Sequence, residues 1–529
     1  MILKLSSLRI LLASVLIIAG SSAALADEAA DGTTLLRNNC AGCHRETAPG
    51  RFERVSSIRK SPEGWVMTLF RMRQVHNLTL AEDTRDALVR YLSRTNGLAP
   101  SESAAGRYAL ERRPNVQDLQ IGDDLQTMCA RCHSAARISL QRRDADEWLK
   151  LVNMHVGQWP TLEFHASSRD RFWWQTATTE VPTRLAGLYP FDTAAWREWK
   201  AKPAATLDGK WIVYGHSPGR GDYHGVATIT KRGADEYTAT YSLTYGDGTQ
   251  IEGSSKSVVY TGYEWRGTAD LGSEPVREVY AVSEDGSQIK GRWFSQDHSE
   301  VGGDWVATRA AGPGLVLFAI PRALKAGTTQ QVTLVGRGLA GEVSFGAGTR
   351  ARVTSRAGDT VTASVTVNAE AAPGSRAVKI GKLSGPDLAA VYARIDRVQV
   401  EPSYAIGRVG GGKVAPVTAQ FEAVGYLDGP ADSAGKKSEV RLGALPAAWS
   451  VLPFDAQADR AQDTHFAGSI DRTGRFMPAG AGPNPQRQYS ANNVGNLFVV
   501  ATVKDGDREV EGKSHLIVTV QRWNTPPIY

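Results

Sequence analysis

The 529-residue sequence predicts a multidomain protein in which an all-α domain precedes three all-β domains. Three observations predict it. The motif Cys-x-x-Cys-His occurs twice in the first third of the chain, as Cys40-Ala41-Gly42-Cys43-His44 and Cys129-Ala130-Arg131-Cys132-His133, each followed by helix-capping and helix-period patterns. From about Gly209 that period gives way to short β-branched and aromatic runs separated by turn residues. Lys202-Pro203 and the small-residue stretch Ala310 to Gly314 then divide the chain where its character changes.

The N-terminus places the chain outside the cytoplasm. Lys4 and Arg9 precede an apolar run from Ile10 to Ile18, and Ala24-Leu25-Ala26 reads as a cleavage site. Residues 1–26 are thus expected to be a secretory signal peptide, with the mature chain starting near Asp27 in the periplasm. The run is short for a membrane span, and no later stretch is long and apolar enough for one. A formal charge of +6 is small for this length and does not imply nucleic acid.

Cys-x-x-Cys-His is the attachment signature of a c-type haem: two thiols form thioethers with the porphyrin, and the histidine is the proximal iron ligand. The two motifs consume all four cysteines, so two covalent haems are expected, at Cys40 and Cys43 and at Cys129 and Cys132, with His44 and His133 on the irons. The competing reading, a pair of zinc or redox CxxC sites, sits poorly with a histidine after each pair and an export signal. The first unit, about 27–100, has a helix opening at Ser61-Pro62 and another at the capping-box pattern Thr79-Leu80-Ala81-Glu82 that stops at Asn96-Gly97. The second, about 115–200, completes an expected all-α dihaem cytochrome c domain over 27–200.

The two units are a repeat. Aligning Trp65 with Trp148 carries Val66 to Leu149, Leu69 to Val152 and Met72 to His155 without a gap. A sixth ligand is Met sulfur, His nitrogen or nothing; the candidates are Met67, Met72 and His76 in the first unit and Met154, His155 and His165 in the second. The equivalence of Met72 and His155 favours His44/Met72 for one iron and His133/His155 for the other.

Strands are expected at Trp211–Tyr214, Val226–Ile229, Tyr237–Tyr241, Ser257–Tyr260, Glu278–Val282 and Gly291–Phe294, with turns at Asp247-Gly248 and Asp285-Gly286. They suggest an antiparallel barrel-like domain over 205–310, whose His216, His224 and His298 lack a paired metal-ligand spacing. Period-two alternation over 314–398 and 399–529 reads as two immunoglobulin-like sandwiches without a catalytic constellation.

Oxidation of an organic substrate would need a cofactor beyond haem, and no Gly-rich nucleotide fingerprint is present. A cysteine-crosslinked quinone is excluded, because every cysteine is used. The order of parts, signal peptide, two CxxCH units carrying the Trp65–Met72 and Trp148–His155 segments, then three β domains, resembles the α subunit of quinohaemoprotein amine dehydrogenase. That resemblance implies an electron-transfer subunit in an αβγ complex that oxidatively deaminates primary amines. It further implies a β-propeller partner, a small partner bearing cysteine tryptophylquinone, and a soluble acceptor such as a blue-copper protein or cytochrome c. A dihaem peroxidase with one open iron, or a non-catalytic dihaem binding protein, are the other classes the motifs allow.

Overall fold

The computed structural model describes residues 32–108, 118–130, 132–162, 171–412, 414–431 and 437–521. The expected signal peptide and His165 lie outside them.

The N-terminal region is not the all-α domain expected. Helices α1 (32–40), α2 (Pro62–His76), α3 (Glu82–Thr95), α4 (Pro100–Ser103), α5 (Asp123–Cys129), α6 (Ala136–Ser139), α7 (Ala145–Gln158), α8 (Trp173–Thr179), α9 (Val181–Leu188) and α10 (Ala194–Ala201) are interleaved with strands. Strands β1 (Glu46–Ala48) and β2 (Arg51–Phe52) form one ladder, and β3 (Ile58–Lys60) and β4 (Gln141–Arg143) form another. Over the described residues, strand exceeds helix by 45% to 22%, so they are mostly β. The physical reason lies at the helix starts. Ser61 and Asp144 cap α2 and α7 from extended backbone, accepting from Gly64 N and Glu147 N. The residues just before them are extended too, and pairing β3 with β4 satisfies their peptide groups. Helix α3 begins at Glu82 behind Ala81 with no side-chain cap, so Thr79 does not close the expected capping box.

The β3–β4 register is symmetric. Ile58 faces Arg143, Arg59 faces Arg142 and Lys60 faces Gln141. The Trp65–Trp148 alignment makes Ile58–Lys60 the repeat-equivalent of Gln141–Arg143, so each strand pairs with its own counterpart. The ladder therefore has a local two-fold axis through Arg59 and Arg142.

Eight strands follow as a closed antiparallel barrel: β5 (Gly209–Ser217), β6 (Gly221–Lys231), β7 (Glu236–Tyr245), β8 (Gln250–Tyr260), β9 (Glu264–Leu271), β10 (Glu274–Val282), β11 (Gln288–Ser295) and β12 (Gly302–Arg309). The six strands expected here all form; Glu264–Leu271 and Gly302–Arg309 were not foreseen. Gly248 and Gly286 adopt positive φ in the Asp-Gly turns, a conformation open to glycine without steric cost. The interior is filled by Trp211, Tyr223, Tyr241, Trp265, Tyr280, Trp293 and Trp305. It is a packed core, not a ligand chamber.

The barrel is the platform for the N-terminal units. Tyr263 donates to Leu98 O at 3.1 Å and shares a hydrogen bond with Ser103 at 2.8 Å. Arg90 on α3 reaches Asp235 and Glu236. Glu63, in the first turn of α2, pairs with the buried Arg266 of β9.

Beyond the barrel, residues 315–392 form two four-stranded sheets over one core containing Leu334, Phe345 and Val365. Residues 397–519 form sheets of three, four and three strands around Phe421, Phe476 and Leu516, with two short helices. Both contain a short parallel pairing, Ala323–Lys325 with Leu383–Tyr392 and Tyr404–Arg408 with Arg508–Thr519. No helix of the described residues is long and apolar enough to cross a membrane.

Candidate haem centres

Each motif begins where a helix ends. Cys40 is the last residue of α1 and Cys129 the last of α5, so the chain turns away while the sulfur stays at the helix end. In the first motif the turn is closed by Cys43 N and His44 N, which donate to Cys40 O at 3.1 and 2.8 Å. Cys40 and Cys129 are half-buried, Cys43 and Cys132 exposed, and none of the four pairs in a disulfide. Burial pushes both the Cys40 and Cys129 thiols up to about 11. Among the described residues, no three His, Cys, Asp or Glu side chains converge as a zinc site requires.

The histidines share one arrangement. His44 Nδ1 lies 3.1 Å from Glu53 O, His133 Nδ1 2.9 Å from Ser134 O, and His155 Nδ1 2.8 Å from Leu151 O. A carbonyl can only accept, so Nδ1 carries the proton and Nε2 keeps its lone pair. Burial, the largest influence, holds His44 and His155 below the ordinary imidazole value; Arg54 adds to this for His44, and Arg71 and Arg143 for His155. Both are held in the neutral form that ligates a metal.

The second centre is assembled in geometry as well as chemistry. The His133 and His155 ring centroids lie 6.2 Å apart, with the ring planes tilted by 39°. A metal at about 2.0 Å from each of two imidazole nitrogens, with about 1.1 Å more to each ring centre, sets centroids about 6.3 Å apart. The separation of the two rings matches that spacing. Helix α7 fixes His155 there: Trp148 is 1% exposed in a cluster with Leu125, Ile138, Val181 and Leu185. Leu151 packs against the same cluster, and His155 follows on the same stripe seven residues after Trp148. Cys129 borders that cluster too. Beside it opens a cavity of ≈ 180 Å³ lined by Leu125, Met128, Val181 and Arg184, among others.

The first centre is less completely drawn together. Trp65 and Leu69 on α2 are buried with Leu36 and Phe52, against which Cys40 packs. Met72 is half-buried and continues that stripe. His76, exposed one turn on, is near enough for its charge to act on His44. Met67 faces elsewhere and packs on Leu98, Ala136 and Leu140. Met154 is half-buried, one residue off the Trp148–His155 stripe.

Several residues around the centres escaped the motif reading: the carbonyls of Glu53 and Leu151, and the basic residues Arg54, Lys60, Arg71 and Arg143. The repeat held part of the signal, since the alignment that pairs Met72 with His155 also pairs Lys60 with Arg143. In the barrel, His216 is held between Asp222 (2.6 Å) and Glu422 (2.7 Å), so it ties the barrel to the C-terminal region. His298 lies 3.4 Å from Glu300.

Two CxxCH stations on strand-stapled helical units, carried by a barrel and further β sheets, define a multidomain haem-binding chain. Family models agree over nearly its whole length. The haem-binding model of the quinohemoprotein amine dehydrogenase alpha subunit matches 30–196, and the models for domains II, III and IV match 204–310, 315–393 and 398–528. The chain belongs to the quinohemoprotein amine dehydrogenase alpha-subunit family, and so to an oxidoreductase complex with partner subunits. No curated protein matches it. Among solved structures it is similar to a redesigned beta barrel, mFAP1, bound to DFHBI (19% identity, 19% of this chain, 92% of that chain, TM-score 0.17). It is also similar to mouse clustered PcdhgC3 EC1-3 (13% identity, 44% and 76% covered, TM-score 0.17) and to zebrafish RET cadherin-like domains 1 to 4 (9%, 46% and 62%, TM-score 0.17).

Proposed function

We propose that this chain is the dihaem electron-transfer subunit of a periplasmic amine dehydrogenase. It takes electrons from a protein-derived quinone, cysteine tryptophylquinone, on a small partner subunit during oxidative deamination of primary amines. A second, β-propeller subunit completes the complex, and a blue-copper protein or cytochrome c receives the electrons. The observation that carries this reading is the 6.2 Å apposition of His133 and His155, which suits a saturated iron and so electron transfer over peroxide chemistry.

Bound haem c supplies a one-electron couple at each motif. The protein's part is attachment and tuning. Cys40 and Cys43 hold one group and Cys129 and Cys132 the other. His44 and His133 present Nε2 as proximal ligands, oriented by Glu53 O and Ser134 O. His155 would hold the second haem iron from the side opposite His133, and Met72 the first from the side opposite His44. A second reading of the first centre gives its distal place to His76, because of its nearness to His44. A thioether ligand would give the first centre the higher potential.

The test is steady-state amine oxidation with an artificial acceptor, by the purified chain alone and by its complex with a quinone-bearing small subunit. Turnover is expected only from the complex, with reduction of the chain's haem bands. Turnover by the isolated chain would overturn the proposal.

A further inference from the structure

The face of the β3–β4 ladder that carries Lys60 and Arg143 holds more positive charge than the protein neutralises. Lys60 is 4% exposed and Arg143 3% exposed, although lysine and arginine are almost never this buried without a partner. Lys60 donates to Thr68 Oγ1 at 2.6 Å and lies over the Trp65 ring. It has no carboxylate among the described residues. Arg143, its counterpart in the repeat, lies over Trp148 in the same manner. Arg71 is half-buried and makes no hydrogen bond or ion pair among the described residues. Arg54 lies at the same place. Against these four cations stands Glu147, at 3.8 Å from Arg54 and 3.6 Å from Arg143 and also bound to Lys150. One of its oxygens, Oε2, is buried without a hydrogen bond.

The charges sense one another. Burial first, then Arg143 and Arg71, hold the Lys60 ammonium well below the ordinary lysine range. Burial likewise takes Arg143 down to about 9, with Arg71 and Arg54 adding to the fall against the pull of Glu147. Burying Lys60 and Arg143 beside the half-buried Arg71 and the exposed Arg54 is costly unless anions complete the cluster.

Its position says which anions. Arg54 follows Glu53, whose carbonyl orients His44; Arg71 precedes Met72; Arg143 and Arg54 both reach Glu147 on α7, the helix that carries His155. The cluster thus draws its members from both haem units, which meet at the β3–β4 ladder. A haem carries two propionate carboxylates, for which guanidinium and ammonium groups are matched donors. We propose that Lys60, Arg71 and Arg143 form a shared anion site that binds haem propionate carboxylates between the two centres and raises the reduction potential there. The proposal rests on the reading that both motifs carry haem. Positive charge held close to an iron favours its reduced, less positive state, and burial keeps water and salt from screening it.

The experiment uses the full holo chain. Arg71→Gln, Lys60→Met and the charge-keeping Arg71→Lys are compared with wild type by redox titration of each haem and by the propionate bending band in resonance Raman spectra. Lys513→Gln, on an exposed C-terminal strand position, is the control. Both neutral variants are expected to lower one potential by about the tenfold change in oxidised-to-reduced ratio that corresponds to 59 mV, and to shift the propionate band. Arg71→Lys should restore most of the effect, and the control should do nothing. If Lys60→Met does not fold, the partly exposed Arg71→Gln decides alone. Unchanged potentials and an unchanged band in a chain carrying two haems would overturn the propionate site. Fewer than two haems per wild-type chain would instead overturn the reading beneath it.

Discussion

Arg59 and Arg142 face each other across the ladder that joins the two haem units, and both bind the same carboxylate, Glu102. Arg59 is bidentate, at 2.8 and 2.9 Å, and Arg142 Nε donates at 3.1 Å. Thr193 and Ala99 N complete the acceptor capacity of Glu102, which lies in the four-residue helix α4. All three charged side chains are less than a tenth exposed. One carboxylate from the linker between the units therefore locks the ladder's two-fold axis.

Glu102→Gln should consequently destabilise the N-terminal region strongly. Removing the anion leaves two buried guanidinium groups uncompensated, a change worth about 3–5 kcal/mol. Glu284→Gln, which breaks an exposed pair with Lys202, should cost under about 1 kcal/mol. Denaturant midpoints followed by haem absorbance compare the two. Equal, small losses would contradict a central role for Glu102.

Mass and absorbance check attachment. The intact mass of the denatured mature chain should exceed that of the polypeptide by two haems. Cys129→Ala/Cys132→Ala should remove one of them and leave the other. A wild-type gain of one or none would end the dihaem reading.

The axial ligands are tested by substitution. His155→Ala should open the second centre to cyanide or imidazole, while leaving any sulfur-to-iron band near the red end of the visible spectrum. Met72→Ala should abolish that band and His76→Ala should not. If His76→Ala converts the first centre to an open one, the second reading of that site is the right one.

A pH effect is expected away from the haems. Burial opposes charge on His216, yet Asp222 and Glu422 carry it up to about 10, above its ordinary 6.5. A folded value raised in this way means stability fully present below pH 6.5 and lost as pH climbs through about 10. The slope between those limits is on the order of 1 kcal/mol per pH unit at most. Melting temperatures of wild type and Glu422→Gln, taken from neutral pH to pH about 10, should converge as the pH rises. Parallel curves would show that His216 does not tie the barrel to the C-terminal region in this way.

Much of the site was legible along the chain because it is written locally. The two CxxCH motifs state the chemistry within five residues, and Trp65 to Met72 and Trp148 to His155 span two helical turns each, so period and repeat suffice to place them on one face. The barrel strands were legible for the same reason: alternation and Asp-Gly turns are short-range signals. Strands β3 and β4 were not, because three residues such as Ile58-Arg59-Lys60 have no period to read, and their partner lies some eighty residues away.

By itself, then, the sequence named the candidate residues for haem attachment, the helix stripe on which the candidate ligands sit, and the repeat that pairs Trp65 with Trp148. Tertiary structure decided how the copies meet. Pairing β3 with β4 puts Arg59 against Arg142 over Glu102 on one face and gathers Lys60 and Arg143 with Arg71 on the other. The packing of Trp148 and Leu151 brings His155 near His133. None of these relations is local: each brings together charges or rings whose energy depends on burial and on distance through the fold, and no spacing along the chain encodes either.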